Sequence, residues 1–411
     1  MSPCGREWLR SAVAIAALIG ATVLARAQAQ RTWLPTDAPA AIEFKDWEQE
    51  DDYDFGTEFD VSFPSPVPSG IPNNDIVPLK VLVPNDPAFK GPYPVVLVLH
   101  YWGATDLRAE YSLANDLNER GIAAAIMTLP YHLERTPPGR RSGDLAIPAT
   151  PQGIIESTTQ AVLDVRRSID FLKSRKEFQG TPLGISGTSL GSLVAELAYG
   201  VDSRIDDGAF VLGGADFARI IWSSSRVVPQ RDALRRAGFT EASLREALKP
   251  VEPLTYLPRQ QPGPTFVVRA QYDTVVTPRS AELLIHALPG VKTMTLDTGH
   301  YGGIFVERKV LSQVAAFFGE AFKGREFRAP SKLYAPTIRF GVKADVTNGV
   351  DVGVGLDVIQ FDPLGKNFLD AFLTPKGPQL ILAHTLAVGF SLGGTYSSRG
   401  FGVGIFWSAI L

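Results

Sequence analysis

Between residues 76 and 323, short β-branched apolar runs alternate with longer stretches whose apolar residues recur every three to four positions. Ile76–Val83 reads as a strand and Pro94–Leu99 as a fully buried one. A helical pattern over Leu107–Arg120 ends at Gly121, the residue type that most easily closes a helix. Ile122–Leu129 is strand-like, and Ile154–Ser174 carries Ala161, Val162, Val165, Ile169 and Leu172 at helical spacing. Then follow a short strand (Pro182–Ser186), a helix (Leu190–Tyr199) and a buried strand (Ala209–Gly213). After an interruption at 217–262 the rhythm resumes with Thr265–Ala270, a helix at Arg279–Leu288, a strand at Lys292–Leu296 and a helix near Glu307–Phe322. Buried strands alternating with amphipathic helices predict an α/β domain, a doubly wound and mostly parallel sheet covered on both faces.

The flanking segments follow other patterns. Residues 28–75 form an N-terminal extension rich in proline, acid and aromatics, and its Glu48–Asp54 cluster reads as a solvated acidic segment. The interruption at 217–262 is helical and arginine-rich, and predicts a lid-like insertion. Beyond the α/β domain (76–325), residues 330–411 switch to strict alternation: Ile338, Phe340, Val342, Ala344 and Val346, then Val350 to Val358. A three-residue loop with Gly349 left-handed pairs Val346 with Val350 and Phe340 with Leu356, keeping both faces consistent. It also sets Arg339 opposite Asp357. Gln379–Leu392 and Gly400–Leu411 predict a second hairpin, so the tail is a C-terminal antiparallel β extension. Its leading reading is a sheet packed on the main domain or used for self-association. A membrane-associated β module is the competing one, and four strands would need oligomerisation to close a barrel. Disorder is the third.

The N-terminus adds a compartment. Arg6 and Arg10 precede the apolar stretch Ala12–Ala25, followed by Ala25-Arg26-Ala27 and Ala27-Gln28-Ala29. A basic region, a short apolar core and small-residue cleavage sites describe a secretory signal peptide over residues 1–27. About 20 apolar residues are needed for a spanning helix, more than this stretch supplies. The expectation is an exported protein, periplasmic or extracellular, with outer-membrane association an option through the tail. The single cysteine, Cys4, leaves with the signal, so the mature chain offers no disulfide, thiolate nucleophile or zinc–thiolate site. A net charge of −3 without a long basic run argues against nucleic acid.

The chemistry-bearing pattern is Gly187-Thr188-Ser189-Leu190-Gly191 directly after the predicted strand at 182–186. A serine on a sharp strand-to-helix turn, with glycines two residues to either side, is the arrangement of a nucleophile elbow. The same pattern recurs at Gly389–Gly393, where Ser391 lacks the strand-to-helix transition and has no histidine after it. Serine acyl transfer needs a base, a carboxylate to orient it, and donors for the oxyanion. Asp273 follows the strand at 265–270 and His300 follows the next one, so the loops at the carboxyl ends of parallel strands can bring both to Ser189. Asp216 is the reserve candidate for the acid. Of the other histidines, His286 and His384 read as structural, and His132 in Pro130-Tyr131-His132 as a residue lining a substrate pocket.

With His100-Tyr101-Trp102-Gly103 after a buried strand, these matches stand in the order Ser, Asp, His. Residues 76–323 therefore resemble the α/β-hydrolases of the esterase, lipase and dienelactone-hydrolase-like kind. The resemblance implies an oxyanion hole from the backbone N–H of Leu190 and that of Trp102, with Tyr101 the next choice because it stands where the family has glycine. It casts His100 as a framework residue. It further implies hydrolysis of a small-molecule or polymeric carboxylic ester through an acyl-enzyme, with no cofactor and no metal. A peptidase of the prolyl-oligopeptidase kind shares the triad order, but no propeller sequence is visible. A non-catalytic binding module on the same fold is the rival from another class.

Overall fold

The computed structural model describes residues 34, 40–257, 262–334, 337–360, 367–387 and 390–410. The expected signal peptide lies outside them. Among the described residues no helix is long and apolar enough to cross a membrane.

The chain opens on a hairpin, β1 (Glu48–Tyr53) and β2 (Gly56–Pro64), and continues through β3 (Ile76–Val83), β4 (Val95–Leu99), α1 (Arg108–Asn118) and β5 (Ala123–Met127). Next come α2 (Pro151–Ser174), β6 (Leu183–Thr188), α3 (Leu190–Val201) and β7 (Asp207–Val211). Four short helices fill the insertion: α4 (Phe217–Ser223), α5 (Val228–Arg236), α6 (Glu241–Leu248) and α7 (Pro253–Tyr256). The layer closes with β8 (Thr265–Ala270), α8 (Pro278–Ala287), β9 (Lys292–Asp297), α9 (Glu307–Ala321) and β10 (Lys332–Tyr334).

These strands make one ten-stranded sheet in the order β1-β2-β3-β5-β4-β6-β7-β8-β9-β10. Strands β4 to β10 run parallel, and β1, β2 and β3 join as antiparallel neighbours. Because β4 and β5 are buried along their whole length, their sequences are apolar runs without alternation. One core packs α2, α3 and the insertion on one face, and a second packs α1 and α9 on the other. The chain steps outward from β4 to β5 and then crosses back to β6. The switch point between β4 and β6 is where an open α/β sheet leaves a crevice.

Both flanking segments hold more structure than expected. The acidic segment is solvated, as expected, and is also a strand: Glu48–Tyr53 pairs with β2 at the sheet edge. Its carboxylates point into water, which keeps an open sheet edge from pairing with another chain. The tail is also more than two hairpins. Strands β11 (Thr337–Asp345), β12 (Gly349–Gln360), β13 (Asn367–Thr374), β14 (Gly377–Ala387), β15 (Phe390–Ser397) and β16 (Gly400–Ile410) form a closed antiparallel barrel. The first hairpin pairs Phe340 with Val354 and Arg339 with Gly355, two residues away from the expected register but on the same faces. The reason is local: the Asp345 carboxylate accepts the backbone N–H groups of Thr347 (2.9 Å) and Asn348 (2.7 Å), so the turn begins at Asp345.

Candidate active site

Ser189 stands between β6 and α3 with φ 55° and ψ −112°, a strained conformation for a residue with a side chain. Two glycines make this possible. A Cβ on Gly187 would lie 2.2 Å from the carbonyl oxygen of Gly191, and one on Gly191 would lie 2.4 Å from that of Leu99. The turn is tied down by the Ser189 N–H, which donates to the carbonyl of Val211 at 2.8 Å.

The three residues singled out by order in the sequence meet here. Ser189 Oγ lies 3.0 Å from His300 Nε2, and His300 Nδ1 lies 2.7 Å from Asp273 Oδ2. The other Asp273 oxygen accepts the N–H groups of Val275 and Val276, both at 2.8 Å. With one oxygen held by the backbone, the second is fixed as the acceptor for Nδ1–H, which leaves Nε2 unprotonated toward the serine. Asp273 and His300 are both buried.

The residues expected to supply the oxyanion donors line the cavities beside the serine. Leu190 opens α3, where first-turn N–H groups have no intrahelical acceptor. Tyr101 and Trp102 line the same cavity as Ser189 and His300. The loop that carries them is anchored from below. The Trp102 indole N–H donates to the carbonyl of Gly143 at 2.8 Å, and His100 is fully buried with Nδ1 on the carbonyl of Tyr101 (2.9 Å) and Nε2 accepting the Leu129 N–H (3.0 Å). Burial lowers the His100 pKa to about 3, so it is a neutral brace.

Several expectations fall elsewhere. His132 does not line the pocket. It is fully buried, edge-on to His100 at 4.9 Å, and sealed behind Gly143 and Trp102. Asp216 is occupied as the N-cap of α4 and as the partner of Arg245 at 2.8 Å. Ser391 sits inside the barrel, its Oγ 3.3 Å from that of Thr385, with no histidine against it. Among the described residues no cluster of three or more His, Cys, Asp or Glu side chains could hold a metal ion.

The residue that sequence reasoning passed over is Arg226. Its guanidinium stacks 4.7 Å from the Trp102 ring and donates to the Tyr301 hydroxyl at 2.6 Å, joining the loop of Trp102 to the loop of His300. Nothing in the sequence separates it from the other arginines of the insertion. Two cavities flank Ser189: one of about 410 Å³ that includes Asp106, Glu307 and Ile304 on its walls, and a smaller apolar one of about 90 Å³ between α3 and the insertion.

Comparison with known proteins agrees with this fold. A family profile described as "Alpha/beta hydrolase domain containing 18" matches residues 19–205, which include Ser189 and end before Asp273. No curated protein matches the chain. Among solved structures, an acetyl xylan esterase from Paenibacillus sp. R4 aligns at 19% identity and a TM-score of 0.52, over 66% of this chain and 88% of that one. The Pyrococcus horikoshii acylaminoacyl peptidase aligns at 13% identity and a TM-score of 0.50, over 70% of this chain and 44% of that one. The fold of residues 48–334 is the α/β-hydrolase fold.

Proposed function

We propose that this chain, which has the α/β-hydrolase fold, is an exported serine esterase that cleaves carboxylic esters through an acyl-enzyme. The observation that carries the reading is the continuous line of hydrogen bonds from Ser189 through His300 to Asp273, with the serine on a strained elbow. Fold alone hosts many activities, so the site and not the architecture is the argument.

In the proposed reaction His300 Nε2 takes the Ser189 proton as Oγ attacks the ester carbonyl carbon. The tetrahedral oxyanion is held by the N–H of Leu190 and that of Trp102, and Asp273 stabilises the imidazolium. Collapse breaks the bond to the alkoxy oxygen, which receives the proton from His300 and leaves as the alcohol. Water then enters, His300 removes its proton, and the acid is released from Ser189. The acyl group fits the smaller apolar cavity, while the alcohol leaves through the larger one, whose walls include Asp106 and Glu307. Short-chain acyl esters are therefore the preferred class. Export is inferred from the signal-like segment at 1–27.

A fluorophosphonate probe tests the reading directly. Ser189 should be labelled in the parent and in Ser391→Ala, and labelling should vanish in Ser189→Ala. An unlabelled parent would instead favour a binding module. Hydrolysis of p-nitrophenyl esters should fall as the acyl chain lengthens; a preference for long chains contradicts the assignment of the small cavity.

A further inference from the structure

The barrel of β11 to β16 is built inside out for water. Arg339 and Asp370 pair at 3.2 Å in its interior, with the Arg339 guanidinium 4.0 Å from the Phe368 ring, and Lys343 is buried against Asp345 at 2.5 Å. Each of the six strands meanwhile turns a large aliphatic residue outward: Val342, Val354, Leu373, Leu382, Leu392 and Ile405, between 37% and 64% exposed. Among the described residues no outward strand position carries Asp, Glu, Lys or Arg. A barrel that hides ion pairs while wetting its aliphatic side chains reverses the usual preference of a protein in water.

We infer that this barrel is embedded in a lipid bilayer. A second copy of the chain, or the hydrolase domain, could cover only one side of a closed barrel. Here the apolar surface runs right round it, strand by strand, and lipid is the surrounding that meets every strand at once. The dimensions agree. On β12 the outward residues run from Val350 to Val358, about 27 Å of strand at ~3.4 Å per residue. At the ~40° tilt usual for such strands that is about 21 Å of height, close to the ~25 Å apolar band of membrane barrels. Aromatics bracket the band: Tyr396 packs on Phe401 (4.8 Å) at the turn end, and Phe390 is registered against Trp407 toward the other. Beyond the first pair the turns carry Lys376 and Arg399. The interior is filled by side chains such as Phe368, Phe372 and Phe406, so the barrel is an anchor and not a channel. Ile338, at the start of β11, lines the larger cavity beside Ser189, so the anchor places the active-site mouth near the bilayer edge. The inference stands on the barrel alone and is independent of the esterase reading.

The test uses the full chain, purified in mild detergent and mixed with phosphatidylcholine vesicles as the detergent is removed. The protein should float with the vesicles and stay with them through high-salt and alkaline carbonate washes. Brominated phosphatidylcholine should quench its tryptophan fluorescence, and Trp407→Phe should remove much of that quenching. Val354→Arg and Leu382→Arg, near mid-band, should lower the floated fraction at least about tenfold, whereas Arg399→Glu at the turn end should leave it unchanged. The thermal unfolding transition of the hydrolase domain shows that each variant is folded. A detergent-free soluble monomer, a discrete detergent-free oligomer, or a floated fraction indifferent to the two arginine substitutions would each overturn the inference.

Discussion

Gly191 approaches β4 so closely that a methyl group on its Cα would sit 2.4 Å from the carbonyl oxygen of Leu99 and 2.5 Å from that of His100. Both obstacles are backbone, so neither can swing aside. Gly191→Ala must push α3 away from β4 and carry Ser189 with it. The expected result is a loss of about 1–3 kcal/mol in stability, the usual cost of overpacking, together with a collapse in fluorophosphonate labelling rate. Denaturant titration and labelling kinetics check the two halves. A variant that labels at the parental rate would show that the elbow tolerates displacement.

Asp273→Asn separates orientation from architecture. The Oδ1 atom that accepts from Val275 and Val276 survives the substitution, so the loop should keep its place and the melting temperature should change little. The amide, however, can present N–H to His300 Nδ1 and turn the imidazole to the wrong tautomer. A fall in kcat of about 10⁴-fold is expected for such a change in a serine triad, with KM nearly unaffected. A fall in stability without that split would assign Asp273 a structural role.

How far all this could be read from sequence depended on the range of the contact involved. Ser189, Asp273 and His300 were legible because parallel strands end on the same side of a sheet, so loop position stands in for proximity. Thr265–Ala270 is bounded as expected because its buried apolar centre, Phe266 to Val268, stands between turn residues. Glu48–Tyr53 was missed as a strand because acidic residues are poor strand formers and only its pairing with β2 makes it one. The sequence shows the barrel only as separate hairpins, because neither hairpin includes Asn367–Thr374 and because closure rests on β11 pairing with β16, some 60 to 70 residues apart. His132 was misplaced because a histidine beside a proline-tyrosine turn looks the same whether it faces a pocket or a core.

Behind the active-site loop, Arg135 and Asp164 form a fully buried pair at 2.7 Å. Arg135 also donates to the carbonyls of Asn74 and Thr128, and Asp164 accepts from Ser65 Oγ at 2.6 Å. The pair thus ties the 65–74 segment, the loop after β5 and α2 together. Arg135→Met leaves a buried carboxylate without its cation and strips two carbonyls of their donor. A destabilisation of about 3–5 kcal/mol is expected for breaking one side of such a pair. Adding Asp164→Asn should restore part of it, because the uncompensated charge goes with the carboxylate. Chemical denaturation of the parent, both singles and the double mutant checks this. A double mutant no more stable than Arg135→Met would show that the lost carbonyl contacts, and not the stranded charge, dominate.

Glu110 on α1 offers a pH test with a definite sign. The side chain is almost wholly buried, Oε2 has no hydrogen-bond partner among the described residues, and burial raises its pKa from 4.5 to about 7, with Glu307 and Asp106 adding in the same direction. The folded state therefore keeps its proton over a range in which the unfolded chain has lost it. Stability from this group is fully present below about pH 4.5 and falls as the pH rises toward 7, where the folded form also ionises. The whole difference is worth about 3 kcal/mol. Glu110→Gln removes the titration while keeping size and shape. The parent and the variant should be nearly equally stable at pH 4, and the variant should be the more stable by up to that amount at pH 8. Glu196 and Asp207 are also buried with raised pKa values, but they titrate in both proteins and cancel in the comparison. Denaturant midpoints at the two pH values decide it, and parallel pH profiles for parent and variant would rule Glu110 out as the source.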